Sequence, residues 1–194
     1  MKKIYFAYGA NTNKEAMRRR CPNARAIGAG HLNDFRLKFN NVADIDKFTY
    51  PEIESAWYSE APVVIWEITP DCEKALDRFE SFPSLYRKIE VDGYIHEKNT
   101  NGDYFKHYHG FAYKMNWSGL NIPNASYVHT IREGLKGFHP KSNWDYIDKM
   151  IDEAILESFK ASEESLNSHR KYGGSNWRLV YPWQEPQLQA GVFS

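Results

Sequence analysis

Phe6-Ala7-Tyr8-Gly9-Ala10-Asn11-Thr12-Asn13 is the stretch on which the reading of this chain turns. Its first residues complete the run Lys3-Ile4-Tyr5-Phe6-Ala7-Tyr8, whose aromatic and branched side chains predict a strand. Gly9 ends that strand. A glycine at such a break lets successive backbone N–H groups turn toward one point, and the resulting concavity holds a carboxylate or a developing oxyanion without a charged side chain. The same residues also read as an ordinary turn before a helix, because glycine and asparagine dominate turns. Asn13 suits the N-cap of that helix, Lys14 to Arg20, with Glu15 at its positive end. Cys21-Pro22-Asn23 stops it, since proline cannot continue the hydrogen-bond ladder.

Further strands are predicted downstream. Phe35, Leu37 and Phe39 alternate with Arg36 and Lys38. A polar stretch from Asn40 to Pro51 reads as a surface loop. Ile53 to Tyr58 and Val63 to Ile68 read as two strands separated by Glu60-Ala61-Pro62. Thr69-Pro70-Asp71 is a helix start, and the helix carries Ala75, Leu76 and Phe79 before giving out at Pro83. Arg87 to Tyr94 and Tyr104 to Tyr113 are strands joined by the turn-rich stretch from Lys98 to Asp103. Two helices close the pattern, Ser126 to Leu135 and Asp145 to Phe159; in the second, Ile147, Met150, Ile151, Ala154, Ile155 and Phe159 share one face. Strands without regular βαβ alternation, followed by helices, give an α+β domain, and six short strands can curl into a small barrel. One domain is expected over residues 1–160. Residues 161–194 form a polar C-terminal extension, packed on it or loosely ordered, that ends with Trp177, Tyr181 and Trp183.

Composition narrows the function classes. The 194 residues carry 25 Lys+Arg against 25 Asp+Glu, a balance unlike that of a phosphate-tracking nucleic-acid binder. No apolar run approaches the roughly 20 residues needed to span a bilayer, and no secretory signal precedes the first strand. With two cysteines and no targeting segment, a reducing cytosol is the expected compartment.

Few residues offer chemistry. There is no phosphate-loop pattern, no dinucleotide fingerprint and no G-x-S-x-G elbow. His107-x-His109 puts two imidazoles on one strand face, but no neighbouring spacing completes a metal set, so they read as solvated strand histidines and no metal is expected. Cys21 adjoins three arginines, which would lower a thiol pKa; a buried, idle thiol is the competing reading. Glu80 is the candidate acid. It ends the helix beside Phe79, Phe82 and Pro83, where the helix dipole and desolvation both raise a carboxyl pKa toward the value a proton shuttle needs. A surface acid paired with Arg78 or Arg87 is the alternative.

Taken in order, these blocks resemble the γ-glutamylcyclotransferase-like family, also called AIG2-like or BtrG-like. Tyr8-Gly9-Ala10-Asn11-Thr12 stands where the family usually reads Tyr-Gly-Ser-Asn-Leu. Arg20-Cys21-Pro22, Leu32 to Phe39 and Val64-Ile65-Trp66-Glu67-Ile68 follow. Leu76-Asp77-Arg78-Phe79-Glu80-Ser81 resembles Leu-Asp-x-x-Glu-Gly and leads into Tyr86-Arg87-Lys88-Ile89-Glu90-Val91. Pro123-Asn124-Ala125-Ser126-Tyr127 with Glu133-Gly134 resembles the family's Pro-Ser-x-x-Tyr helix.

The resemblance implies a small mixed β-barrel flanked by helices, with the glutamate and the loop facing one cavity. It implies cyclisation of a γ-glutamyl amide, either a dipeptide or an amine, to 5-oxoproline without a cofactor. Glu80 is then the catalytic acid/base, and Tyr8, Gly9, Ala10, Asn11, Thr12, Tyr86 and Tyr127 bind substrate. Ala10 for the usual Ser removes a hydroxyl, and Ser81 for the usual Gly alters the residue after Glu80. A non-catalytic small-molecule-binding or protein-interaction module on the same fold is the alternative, one that draws on the aromatic tail.

Overall fold

In a computed structural model that describes residues 1–41, 49–99, 102–116 and 123–172, the strand signals gather into one small barrel. β1 (Lys3–Ala7) buries Tyr5, Phe6 and Ala7 together, so both of its faces are covered. Full burial of a side chain such as Phe6 is worth about 2–3 kcal/mol, which explains the lack of polar alternation in β1. β2 (Arg25–Asn41), β3 (Thr49–Ile68), β4 (Tyr86–Asn99) and β5 (Gly102–Met115) complete the set. The order β1-β3-β2-β4-β5 closes on itself. Neighbours are antiparallel except at the closure, where β1 meets β5 in parallel at Tyr5–Phe111. The expected class, α+β with a small mixed barrel flanked by helices, is the one observed.

Strand number and length differ from expectation. The two predicted strands Ile53–Tyr58 and Val63–Ile68 are parts of β3, and Pro62 pairs in register with His31. The polar interruption is a bulge: Asn33 opposes Glu60, yet Phe35 opposes Ser55. Asp34 and Tyr58 take positive φ (59° and 62°), and the Tyr58 N–H donates to Asp34 Oδ1 at 3.0 Å. Side-chain support of this kind stabilises a conformation that L-residues otherwise avoid. β2 begins ten residues before the Phe35 alternation, in a run of small residues with weak β-propensity. Those small residues serve a close crossing, because a Cβ on Gly30 would lie 2.4 Å from the Tyr94 carbonyl oxygen. β2 and β3 also take up both ends of the predicted Asn40–Pro51 loop; its residues 42–48 are outside the described residues.

The helices start as their caps predict. α1 (Lys14–Arg20) is capped by Asn13, whose Oδ1 accepts from the Glu15 and Ala16 N–H groups at 3.0 and 3.1 Å. α2 (Pro70–Phe79) is capped by Thr69, which accepts from the Cys72 N–H at 3.2 Å. α3 (Ala125–Lys136) buries Val128, Ile131 and Leu135. α4 (Trp144–Tyr172) lays Ile147, Ile151 and Ala154 into the core, with Phe159 left exposed. α4 continues past residue 160, and the tail aromatics Trp177, Tyr181 and Trp183 lie outside the described residues. No helix among the described residues is long and apolar enough to cross a membrane.

Candidate active site

The loop after β1 is a tightly tied turn. Residues Ala10–Thr12 form one 3₁₀ turn in which the Thr12 N–H and hydroxyl both donate to the Gly9 carbonyl, at 2.9 and 2.8 Å. The Trp66 indole N–H reaches across from β3 to the Asn11 carbonyl at 3.1 Å. α3 presses on the loop from outside: a Cβ on Gly134 would meet Thr12 Oγ1 at 2.4 Å. Held from three sides, the loop presents the Asn11 side chain inward, 3 % exposed.

Glu80 arrives from α2, and the end of that helix aims it. Glu80 is the C-cap, its N–H donating to the Leu76 carbonyl at 2.8 Å. The Phe82 N–H then bonds to the Asp77 carbonyl at 2.8 Å, and the Ser81 N–H to that of Arg78 at 3.3 Å. These two bonds define a Schellman turn, whose C′ residue takes a left-handed conformation that glycine favours. Ser81 occupies it with φ 51°. The turn that Gly would make is therefore kept, with a strained serine at its centre. α2 itself is moored to the barrel. The Tyr113 hydroxyl donates to Asp77 Oδ1 at 2.6 Å, and Lys88 Nζ bridges Glu73 and Asp77 at 2.7 and 2.9 Å.

The two segments meet through Asn11. Its Nδ2 donates to Glu80 Oε1 at 3.1 Å and to the Tyr5 hydroxyl at 3.0 Å, and its Oδ1 accepts from the Arg20 guanidinium. The Arg20 guanidinium lies over the Phe79 ring, 3.4 Å from its centroid. Glu80 keeps some exposure as a residue, but its carboxyl is enclosed. Burial pushes that carboxyl up to about 7, against the opposing pull of Arg20 and of the Asn11 hydrogen bond. It stands beside neither Arg78 nor Arg87 in an ion pair; Arg87 donates to the Met115 carbonyl and to Asn116.

Phenols surround the carboxyl. Tyr5, Tyr8, Tyr86, Tyr113 and Tyr127 all lie within electrostatic reach of Glu80, and burial pushes each of their pKa values up. They remain neutral hydrogen-bonding groups at physiological pH. Tyr8 donates to the Tyr113 carbonyl. The nearby Ala10 N–H draws the Tyr127 pKa down against its burial, and the Tyr127 ring meets Tyr50 edge-on at 6.2 Å. Two surface depressions, of about 470 and 370 Å³, lie along α4, and Glu80 meets the loop by direct contact with Asn11.

Of the residues singled out in the sequence, Tyr8, Gly9, Ala10, Asn11, Glu80, Tyr86 and Tyr127 come together. Thr12 is buried and turned into its own loop, which makes it a structural member. The expected fan of loop amides is partly occupied: the Thr12 N–H serves the Gly9 carbonyl and the Asn13 N–H serves the Ala10 carbonyl. Tyr5, Arg20 and Glu52 were not singled out. Arg20 sits in a quoted block, and Tyr5 is a plain strand aromatic; neither spacing nor composition marks them.

The remaining candidates resolve differently. Cys21 is buried, its thiol donating to the Cys72 carbonyl at 3.4 Å, and burial pushes its pKa up to about 12. The three arginines do not make it a reactive thiolate. His107 and His109 are exposed on β5, with His109 Nδ1 2.9 Å from Asp92. Among the described residues no group of three or more His, Cys, Asp or Glu is placed to hold a metal.

No family model and no curated protein matches the chain by sequence. Solved structures do match it. One is titled gamma-glutamyl cyclotransferase, with a TM-score of 0.64 and 22 % identity, and the match covers 81 % of this chain and 99 % of that one. The fold is the γ-glutamylcyclotransferase-like fold. An uncharacterized protein from Homo sapiens aligns with a TM-score of 0.64 at 24 % identity, over 77 % of this chain and 88 % of that one. A yeast γ-glutamyl cyclotransferase specific to glutathione aligns at 0.52 and 9 % identity, over 81 % and 96 %. The resemblance stated from the sequence blocks thus extends to the whole barrel, and these identities carry the fold alone.

Proposed function

We propose that the chain is a cyclotransferase that converts a γ-glutamyl amide to 5-oxoproline and a free amine, with Glu80 as its acid/base. The observation that carries this reading is the Glu80 carboxyl itself. It is enclosed beside the loop, touched by Asn11 and raised to about 7, where it can both accept and return a proton near neutrality. The solved cyclotransferases of this fold supply the substrate class.

The ionised Glu80 takes a proton from the substrate's α-ammonium. The freed amine attacks the γ-carbonyl carbon, forming the lactam C–N bond. Glu80 then returns the proton to the departing nitrogen as the original amide C–N bond breaks, because an amide anion is too poor a leaving group; the second proton still on the ring nitrogen passes to the released amine, which departs as an ammonium. No atom from a cofactor is required. Ring closure is intramolecular, so holding the γ-glutamyl chain folded supplies much of the rate; effective molarities for such closures reach roughly 10⁵–10⁸ M. In this reading Tyr8, Tyr86 and Tyr127 wall the γ-glutamyl chain. The Gly9–Thr12 turn meets its carboxylate or the oxyanion. The substrate is a free small molecule in a reducing cytosol, and neither nucleic acid nor membrane takes part.

The test is to incubate the purified chain with γ-glutamyl dipeptides and, separately, γ-glutamyl amines, and to assay 5-oxoproline. Release from either panel supports the reading and names the acceptor side. No release from either removes it.

A further inference from the structure

Arg20 is half-buried at the last position of α1, and its guanidinium is spent on an amide rather than on a carboxylate. That choice has a chemical consequence. A guanidinium carries only donors, so the Asn11 oxygen must face it. The Asn11 nitrogen must then face the other way, where its two hydrogens meet the Tyr5 hydroxyl and Glu80 Oε1. With an acceptor or no group at position 20, the amide is free to turn over and present its oxygen to Glu80. An oxygen there repels an ionised carboxylate and accepts from a protonated one, reversing the bias on the proton.

We propose that Arg20 is a positioning residue that locks the orientation of the Asn11 amide, so that Asn11 always donates to the Glu80 carboxylate and holds it for proton transfer. The stacking of the guanidinium on Phe79, the residue before Glu80, fixes the geometry from the α2 side as well. This rests on the proposed role of Glu80, but it concerns a titration that can be read without turnover. The other groups facing the carboxyl are the phenols of Tyr5 (β1), Tyr8, Tyr86 (β4), Tyr113 (β5) and Tyr127 (α3). Glu52 of β3 faces Tyr8 and Tyr86. All of these phenols stay neutral while Glu80 titrates.

The experiment follows Glu80 by carbon NMR of labelled glutamate, assigned with Glu80→Gln, in the wild type, Arg20→Met, Arg20→Lys, Asn11→Ala and the Arg20→Met/Asn11→Ala double variant. Circular dichroism checks folding, and the pH profile of 5-oxoproline release is recorded alongside. Arg20→Met is expected to raise the Glu80 midpoint by about one unit or more, the usual scale for a neighbouring charge and its hydrogen bond. kcat/KM at pH 7 falls about fivefold as the ionised fraction drops, while KM changes little. Arg20→Lys restores most of the midpoint. Because Arg20 acts through Asn11, the double variant shifts the midpoint by less than the two single shifts summed. An unchanged midpoint in folded Arg20→Met overturns the proposal, as do strictly additive shifts, which would assign Arg20 to bare charge. If Arg20→Met does not fold, Asn11→Ala decides: a midpoint that stays at the wild-type value overturns the proposal. Midpoints that move as described in a protein releasing no 5-oxoproline would uphold the positioning role and remove the activity.

Discussion

Glu52 and Glu80 are both carboxylates withdrawn from water, and the protein treats them in opposite ways. Glu52, 2 % exposed on β3, accepts from the Ile53 N–H at 2.9 Å, the Met115 N–H at 2.7 Å and Lys114 Nζ at 3.4 Å. Its burial raises the carboxyl pKa while Lys114 and the two backbone donors pull it back. Those bonds tie β3 to β5, so Glu52 is a staple. Glu80 has the Asn11 amide as a donor and the Arg20 charge at one remove. A carboxylate held by three donors is biased toward its ionised state, whereas one short of donors exchanges its proton cheaply. In the proposed function the contrast separates a structural acid from a chemical one within a single phenol-lined cluster.

The comparison can be broken most sharply by Glu80→Gln. Turnover should fall by about 10²–10⁴-fold, the usual contribution of a general acid/base, with circular dichroism unchanged. Glu52→Gln should do the reverse: it should cost about 3 kcal/mol in urea unfolding, because charge-assisted bonds are lost and donors are left unpaired. Activity per folded molecule should survive in that variant. Were Glu52→Gln to abolish turnover at full stability, the two acids would have to exchange roles.

A third outcome concerns stability against pH. Glu80 titrates near 7 in the fold and near 4.5 when unfolded, so the fold binds its proton more tightly. The associated stability is whole below about pH 4.5 and is lost as pH rises through about 7. At pH 8 Glu80→Gln should therefore be more stable than wild type by about 3 kcal/mol, read as a higher Tm, with the advantage gone at pH 4. Ser81→Gly should gain about 1 kcal/mol, since glycine carries no Cβ penalty at the left-handed C′ position. The smallest effect belongs to Ala10→Ser. It should leave stability within about 0.5 kcal/mol and shift KM or substrate preference across a γ-glutamyl panel; identical kinetics would show that position 10 is idle.

The Glu80 side of this contrast is visible in the sequence, and the Glu52 side is not, for a physical cause. Helix starts were legible because Asn13 and Thr69 act through bonds two or three residues away. Glu80 was legible for the same reason, its position at a helix end beside aromatics being local. The strand count was not, because Pro62 and the Asp34–Tyr58 bulge look like breaks until the partner strand supplies the register. Tyr5, Arg20 and Glu52 were hidden because their meaning lies in contacts across the barrel. Glu52 bonds to Met115, and Arg20 reaches Asn11 only once α1 has folded back along the loop.

The proposed role of Glu80 is tested most directly by the pH dependence of wild-type kcat/KM for 5-oxoproline release. An ascending limb with its midpoint near 7, absent from whatever rate Glu80→Gln retains, is the predicted result. A profile that is flat from pH 5 to 9, or an identical limb in Glu80→Gln, would contradict it.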